Sequence, residues 1–309
     1  MRLRNGDRRG KAEPIGVGRR RLVSGIAASA TLAAARPAGS VIILDSTWRA
    51  EGGRPGRESA GFRAHIALAN QPQFAGLVSF SYDGETWGAA SGTWIGNMGG
   101  QGLVLTAAHV YEPGDLATEY VYRTGSGSVR RGVRLDLHPV YNWNNEETTG
   151  YDFAIVWLDG PVTDSGPPPA LYAGTAEEGA RIVMVGYGNR GIGSVGEAPE
   201  YYTPSDKAAA ENTVDEVIPA VRPVPEDEDA GNWFGVTLHR EGEGASRLDG
   251  ILGAGDSGGS AWIRTAGGWA IAGVNSNGGE TYDAHAYFAR VSGARDWIGR
   301  FAPIARFIA

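Results

Sequence analysis

The chain has 309 residues, a formal net charge of −7, 42% hydrophobic and 20% charged residues, 48 glycines and no cysteine. That length can bury a sizeable core in one large or two medium domains. The lack of cysteine excludes disulfides, a thiolate nucleophile and cysteine-held zinc, and the glycine content favours a loop-rich, mostly β architecture.

Charge is divided unevenly. Residues 1–38 hold nine Lys or Arg and two acids, a net +7, and the remaining 19 basic and 33 acidic residues leave −14. An acidic body does not suit nucleic acid, which needs a basic footprint. Arg19-Arg20-Arg21 precedes an alanine-rich apolar run, Leu22 to Ala35, with small residues at Ala33 and Ala35. That order reads as a secretory signal with cleavage after Ala35, and the consecutive arginines suggest the twin-arginine route. The expectation is an exported protein, periplasmic or extracellular, with no stable membrane association after processing, because no other segment approaches spanning length.

Residues 39–70 read as irregular, because Gly52-Gly53, Pro55-Gly56 and scattered charges argue against packed elements, and could serve as a propeptide, a linker or an extra strand. From Phe74 onward short strand-like runs dominate: 77–82, 87–95, 102–106, 129–137 and the fully apolar 153–158. The stretch 160–169, with Pro161 and Pro167-Pro168-Pro169, is a stiff connector that divides the chain into halves at 71–166 and 167–309. Further strand-like runs follow at 181–187, 213–218, 233–239, 260–264, 269–274 and 286–291, and 294–308 reads as a helix interrupted by Pro303. Two groups of about six short strands predict an all-β fold of two β-barrels.

Three motifs carry chemistry. In Gly253-Ala254-Gly255-Asp256-Ser257-Gly258-Gly259-Ser260, glycines around a serine permit an unusual backbone that exposes a hydroxyl beside free N–H groups. In Leu103-Val104-Leu105-Thr106-Ala107-Ala108-His109, a buried strand ends at small residues and then a histidine. In Tyr151-Asp152-Phe153-Ala154-Ile155, an aspartate heads a hydrophobic strand, where burying its carboxylate is costly unless it is paired. Each alone also fits a plain turn, a surface histidine or a strand cap. Together they supply nucleophile, base and orienting acid.

These runs resemble the three signatures of the chymotrypsin/trypsin family, in that family's chain order. His138-Pro139-Val140-Tyr141, Gly186-Tyr187-Gly188, 269–278 and 286–291 extend the resemblance over most of 70–302, and the signal-like start is similar to secreted bacterial members. The resemblance implies two packed antiparallel six-stranded Greek-key β-barrels with a C-terminal α-helix. It implies a serine endopeptidase acting on protein or peptide substrates, with His109 as base, Asp152 as orienting acid and Ser257 as nucleophile. The N–H groups of Gly255 and Ser257 would form the oxyanion hole. Ser276 and Gly278 would pair with the substrate backbone. Ile251 stands where trypsin-like specificity places an acid, and with Gly278 and Ala286 as walls it implies uncharged, apolar residues before the cleaved bond. Zymogen-activated relatives pair a new N-terminus with the aspartate before the nucleophile. No Ile-Val-Gly-Gly-like start is evident near 40–75, so Asp256 is expected to find another partner, such as an arginine of the fold.

No cofactor or metal is expected, and the protein is read as a monomer. His65, His138, His239 and His285 show no ligand spacing, and Glu226-Asp227-Glu228-Asp229 reads as a solvated run in preference to a calcium loop. Two rival readings stand beside the protease. Gly255-x-Ser257-x-Gly259 also fits the nucleophile elbow of serine esterases, although there acid and histidine follow the serine. A catalytically inactive binding protein on a protease fold is the other.

Overall fold

The computed structural model describes residues 41–142, 150–201, 206–220, 231–242 and 244–309. The secretory-signal stretch and the acidic run 226–229 lie outside the described residues. Val41 enters the molecule at a short strand, β1 (Ile42–Ile43), followed by helices α1 (Asp45–Ala50) and α2 (Arg63–Ala69). The expectation of an irregular stretch at 39–70 is therefore corrected from Val41 on. Val41, Ile42 and Ile43 are fully buried, and Leu44, Trp48, Phe62 and Leu68 are also in the core. The glycine and proline pairs at 52–56 mark only the turn after α1. The apolar run before them and Trp48, whose indole N–H donates to the Glu58 carbonyl at 2.7 Å, carry the packing.

The first half is a closed barrel of six strands: β2 (Leu77–Ser81), β3 (Ser91–Met98), β4 (Gln101–Thr106), β5 (Val121–Thr124), β6 (Val129–Leu137) and β7 (Ala154–Leu158), in the order β2-β3-β4-β7-β6-β5. That order is a Greek key: β2, β3 and β4 meander, a long connection carries the chain across to β5 beside β2, and β5, β6 and β7 meander back until β7 closes against β4. Closure leaves no strand edge. The fully apolar 153–158 run becomes β7, buried between β4 and β6.

The connector leads to β8 (Ala170–Tyr172) and β9 (Arg181–Gly186). Then come β10 (Gly191–Ile192), β11 (Gly196–Glu197), β12 (Ala208–Thr213), β13 (Glu216–Ala220), β14 (Gly231–Thr237), β15 (Gly250–Ile251), β16 (Ser260–Thr265), β17 (Gly268–Gly278) and β18 (His285–Arg290). Their main sheet runs β12-β9-β16-β17-β18-β14-β13, with β8 beside β17. Here the structure departs from two equal six-stranded barrels. The second sheet curls into a half-barrel whose hydrogen-bond ladder does not close. On the open side the Asn212 side-chain amide donates to the carbonyls of Thr237 and Gly250, both at 3.0 Å, so one side chain stands in for a strand ladder. A separate small sheet, β11-β10-β1-β15, holds the N-terminal segment between two loops of the second half. The helix expected at 294–308 is shorter, α3 (Arg295–Phe301). Beyond Pro303 the chain straightens into β19 (Arg306–Ile308), which pairs in parallel with β8. The whole is the mostly β, two-lobed fold that the resemblance implies.

Candidate active site

Strand ends position the three motif residues. β4 stops at Thr106, and the 3-10 turn Ala108–Val110 carries His109. Asp152 stands two residues before β7, which pairs with β4, so register alone brings the acid beside the histidine. Ser257 lies in the loop between β15 and β16 of the second lobe. The structure brings all three together. His109 Nδ1 is 2.6 Å from Asp152 Oδ2, and His109 Nε2 is 2.7 Å from Ser257 Oγ. The other carboxylate oxygen, Oδ1, accepts the His109 backbone N–H at 2.8 Å. Ser276 Oγ donates to Oδ2 at 2.5 Å. Asp152 is 1% exposed, so these donors take the place of the water it has lost. Burial pulls the imidazole of His109 towards its neutral form. The charge of Asp152 and its hydrogen bond outweigh that, and hold the pKa above the ordinary 6.5.

The nucleophile loop needs glycine at two points. Gly255 has φ +90° and Gly258 φ +78°, in the region that side chains avoid. A Cβ on Gly258 would also overlap Thr106 Oγ1 and the Ser91 carbonyl. Among the described residues, the N–H groups of Gly255 and Ser257 meet no acceptor. Ser91 of β3 grips this loop from the first lobe. Its N–H donates to the Ser257 carbonyl at 2.8 Å, and its Oγ donates to the Gly255 carbonyl at 3.0 Å while accepting the Tyr187 N–H at 2.8 Å. Its carbonyl accepts Thr106 Oγ1–H at 2.8 Å, so one residue ties the histidine's strand to the serine's loop.

Asp256 is fully buried. Its Oδ1 accepts the Gly188 N–H at 2.9 Å, and its Oδ2 accepts the N–H groups of Gly253 at 2.8 Å and Val41 at 3.3 Å. These three hydrogen bonds come from backbone N–H groups. Arg190 contributes charge from nearby. Burial lowers its pKa to about 10, against the opposing carboxylates of Asp206 and Asp256. Val41-Ile42-Ile43-Leu44 occupies the place in which no such start was evident from sequence. Val41 itself has φ +70°, an uncommon and strained state for a β-branched residue.

Beside the serine, a Cβ on Gly278 would lie 3.1 Å from the Cβ of Leu252 and 3.6 Å from that of Ala286. Leu252, Gly278 and Ala286 therefore form one small apolar corner. Ile251 is fully buried, its backbone paired with Ile42 of β1, and Leu252 is the residue of this stretch that meets Gly278. The other histidines are dispersed. His65 Nδ1 lies 2.8 Å from the Ala209 carbonyl, and burial pulls its pKa down to about 4. His138 stacks on Tyr151 with ring centroids 5.0 Å apart. Among the described residues no three His, Asp or Glu side chains gather as a metal site, and no helix is long and apolar enough to cross a membrane.

Sequence reasoning did not single out Ser91, Leu252 or the hydroxyl of Ser276. Each acts through a partner at least 26 residues away, and none sits in a motif that names it. Comparison with known proteins gives one finding that bears on identity: residues 69–212 match the family model described as Trypsin. The match spans the first barrel, including His109 and Asp152, and ends before Ser257. No curated protein matches the chain. Residues 69–212 thus form a trypsin-family domain, and this match together with the mostly β, two-lobed fold supports a chymotrypsin/trypsin-like serine protease.

Proposed function

We propose that the protein is a serine endopeptidase working through His109, Asp152 and Ser257, with a preference for uncharged apolar residues before the scissile bond. The observation that carries this reading is the unbroken hydrogen-bonded line from Asp152 through His109 to Ser257 Oγ. It lies next to two N–H groups that meet no acceptor among the described residues. Ser257 Oγ attacks the scissile carbonyl as its proton passes to His109 Nε2. Asp152 holds the proton on Nδ1 and stabilises the imidazolium. The N–H groups of Gly255 and Ser257 receive the oxyanion, and each such donor contributes about 100- to 1,000-fold in rate. His109 then protonates the leaving amine, and water enters to release the acyl group by the same steps in reverse. Ser276 and Gly278, at the end of β17, would hold the substrate backbone as an added strand.

Labelling with a fluorophosphonate tests the reading. Folded, processed protein should label at Ser257, and Ser257→Ala should lose both label and peptide cleavage. A folded protein that does not label, and cleaves nothing in a peptide library, would be the inactive binding protein. Hydrolysis of activated esters without any peptide cleavage would favour the esterase.

The corner of Leu252, Gly278 and Ala286 offers no counter-charge to a lysine or arginine. In a peptide panel, cleavage after alanine, valine or leucine should exceed cleavage after arginine by about tenfold or more, as about 1–3 kcal/mol separates a fitting apolar side chain from a poor one. Faster cleavage after arginine would refute the pocket assignment.

Export as a monomer, with the basic start removed, remains part of this proposal. Its final form is a chain beginning at Val41, whose freed ammonium replaces the amide N–H on Asp256 Oδ2. Cleavage there also releases the constraint on the strained Val41 φ, which is worth about 1–3 kcal/mol. Intact mass of the active protein should match residues 41–309. Full activity in protein that keeps the residues before Val41 would overturn it.

A further inference from the structure

We propose that Glu197, with Asn189, is the positioning pair that sets the oxyanion-hole peptide. This rests on the endopeptidase reading above. The loop before the nucleophile must hold one peptide plane in place, that of Ala254–Gly255, because its N–H is the Gly255 donor. In a trans peptide the C=O and N–H point in opposite directions. Whatever fixes the Ala254 carbonyl therefore aims the Gly255 N–H.

The Asn189 backbone N–H donates to that carbonyl at 2.6 Å. Glu197 holds the preceding plane: its Oε1 accepts the Ala254 N–H at 2.5 Å. The same carboxylate's Oε2 accepts the Asn189 side-chain amide at 2.7 Å, so Glu197 also steadies the residue that grips the carbonyl. Ala254 is exposed, so its side chain adds little packing to hold the peptide plane. With no cysteine in the chain, a disulfide cannot staple it. Hydrogen bonds have to supply the preorganisation that an oxyanion site requires.

The fold delivers Glu197 to this place. β11, which ends at Glu197, pairs with β10. β10 pairs with β1, and β1 with β15, whose chain runs on directly into the nucleophile loop. The four short strands fix the distance between the carboxylate and Ala254. They also put β1 in the middle of the arrangement, so seating of the N-terminal segment and setting of the oxyanion peptide are one structural event. Glu197 touches no reacting atom. Its effect should appear in transition-state stabilisation and leave ground-state binding alone.

The experiment compares processed wild-type protein with Glu197→Ala and Glu197→Gln, using a peptide anilide with an apolar residue before the cleaved bond. Inhibition by the matching peptide aldehyde, whose carbon bonds Ser257 Oγ and whose oxygen enters the hole, is measured alongside inhibition by the cleaved product peptide. Glu197→Ala should lose about 30-fold in kcat, below the limit set by losing a whole donor, with KM within about twofold. Aldehyde affinity should fall by a similar factor while product affinity holds. Glu197→Gln keeps an amide oxygen to accept from Ala254, the Asn189 side-chain amide can turn over so that its oxygen accepts from the new NH2, and the variant should recover to within about threefold of wild type. An unchanged kcat in Glu197→Ala overturns the proposal. So does an equal fall in aldehyde and product affinity, or a glutamine variant as impaired as the alanine one. Wild-type protein that neither cleaves nor labels would bring down the endopeptidase reading and this proposal together. Active wild type with an unaffected Glu197→Ala brings down this proposal alone.

Discussion

Replacing Asp152 with asparagine should lower kcat by about 10,000-fold, the scale of that substitution in the serine-protease triad, with KM little changed. The geometry says why the loss is so large for the exchange of one atom. Asp152 Oδ1 accepts the His109 backbone N–H, so the asparagine keeps its carbonyl oxygen there. The new NH2 then falls at the place of Oδ2, facing His109 Nδ1 and Ser276 Oγ. As a donor it forces Nδ1 to accept, which moves the ring proton to Nε2. His109 then presents an N–H to Ser257 Oγ and cannot take its proton. The loss corresponds to about 5 kcal/mol of transition-state stabilisation. A second reading comes from pH. A general base must be neutral, so wild-type kcat/KM should rise with pH through a midpoint above the ordinary 6.5 of His109, where Asp152 holds it. Without the carboxylate that support is gone while the burial persists, and the residual activity should titrate at lower pH. Steady-state kinetics from pH 5 to 9, roughly the window in which histidine titrates, would check both. A variant with more than about a tenth of wild-type kcat would sink the role given to Asp152.

Much of this site was legible because its chemistry is written locally. The apolar 103–106 and 153–158 runs are strands whose ends must hold whatever follows or precedes them, and they become neighbours β4 and β7. The glycines around Ser257 announce a backbone that other residues cannot adopt. What the sequence hid depends on long-range packing. Val41 lies 215 residues from Asp256, and nothing in a four-residue apolar run says which carboxylate it will meet. Glu197 lies 57 residues from Ala254, in a two-residue strand too short to show a period. β12 was missed for another reason. Ala208-Ala209-Ala210 has weak strand propensity. Here tertiary contact overrides it: all three alanines are fully buried, and His65 of α2 comes within 2.8 Å of the Ala209 carbonyl. The half-open second sheet was equally unreadable, since its gap is bridged by one asparagine side chain.

Asp256→Asn should also be strongly damaging, although less so than the loss of Asp152, and although the Asp256 carboxylate touches no side chain of the proposed triad. Its carboxylate gathers three backbone donors from three segments: Gly188 opening the second lobe, Gly253 of its own loop, and Val41 of β1. An asparagine offers one acceptor oxygen and one donor nitrogen. Whichever way it turns, at least one of these N–H groups meets another N–H in a fully buried place. Each donor so stranded costs about 1–3 kcal/mol, and a Val41 ammonium would lose its counter-charge as well. The cheapest response is for the loop to rotate, and the loop includes the Gly255 peptide. The expected result is a fall in kcat of about 100- to 1,000-fold, the scale of one lost oxyanion donor, with fluorophosphonate labelling of Ser257 slowed to match. The thermal midpoint should drop by several degrees, since about 1 kcal/mol moves a domain of this class by a few. The His109–Asp152 pair lies on the other lobe's strands, so the pH midpoint of the residual activity should stay where it is. On the proposed mechanism, that constancy separates Asp256 from Asp152: one shapes the hole, the other the base. Kinetics, labelling rate and melting of the purified variant decide it. Wild-type kcat in Asp256→Asn would mean that the oxyanion loop holds its shape without the charge buried beneath it.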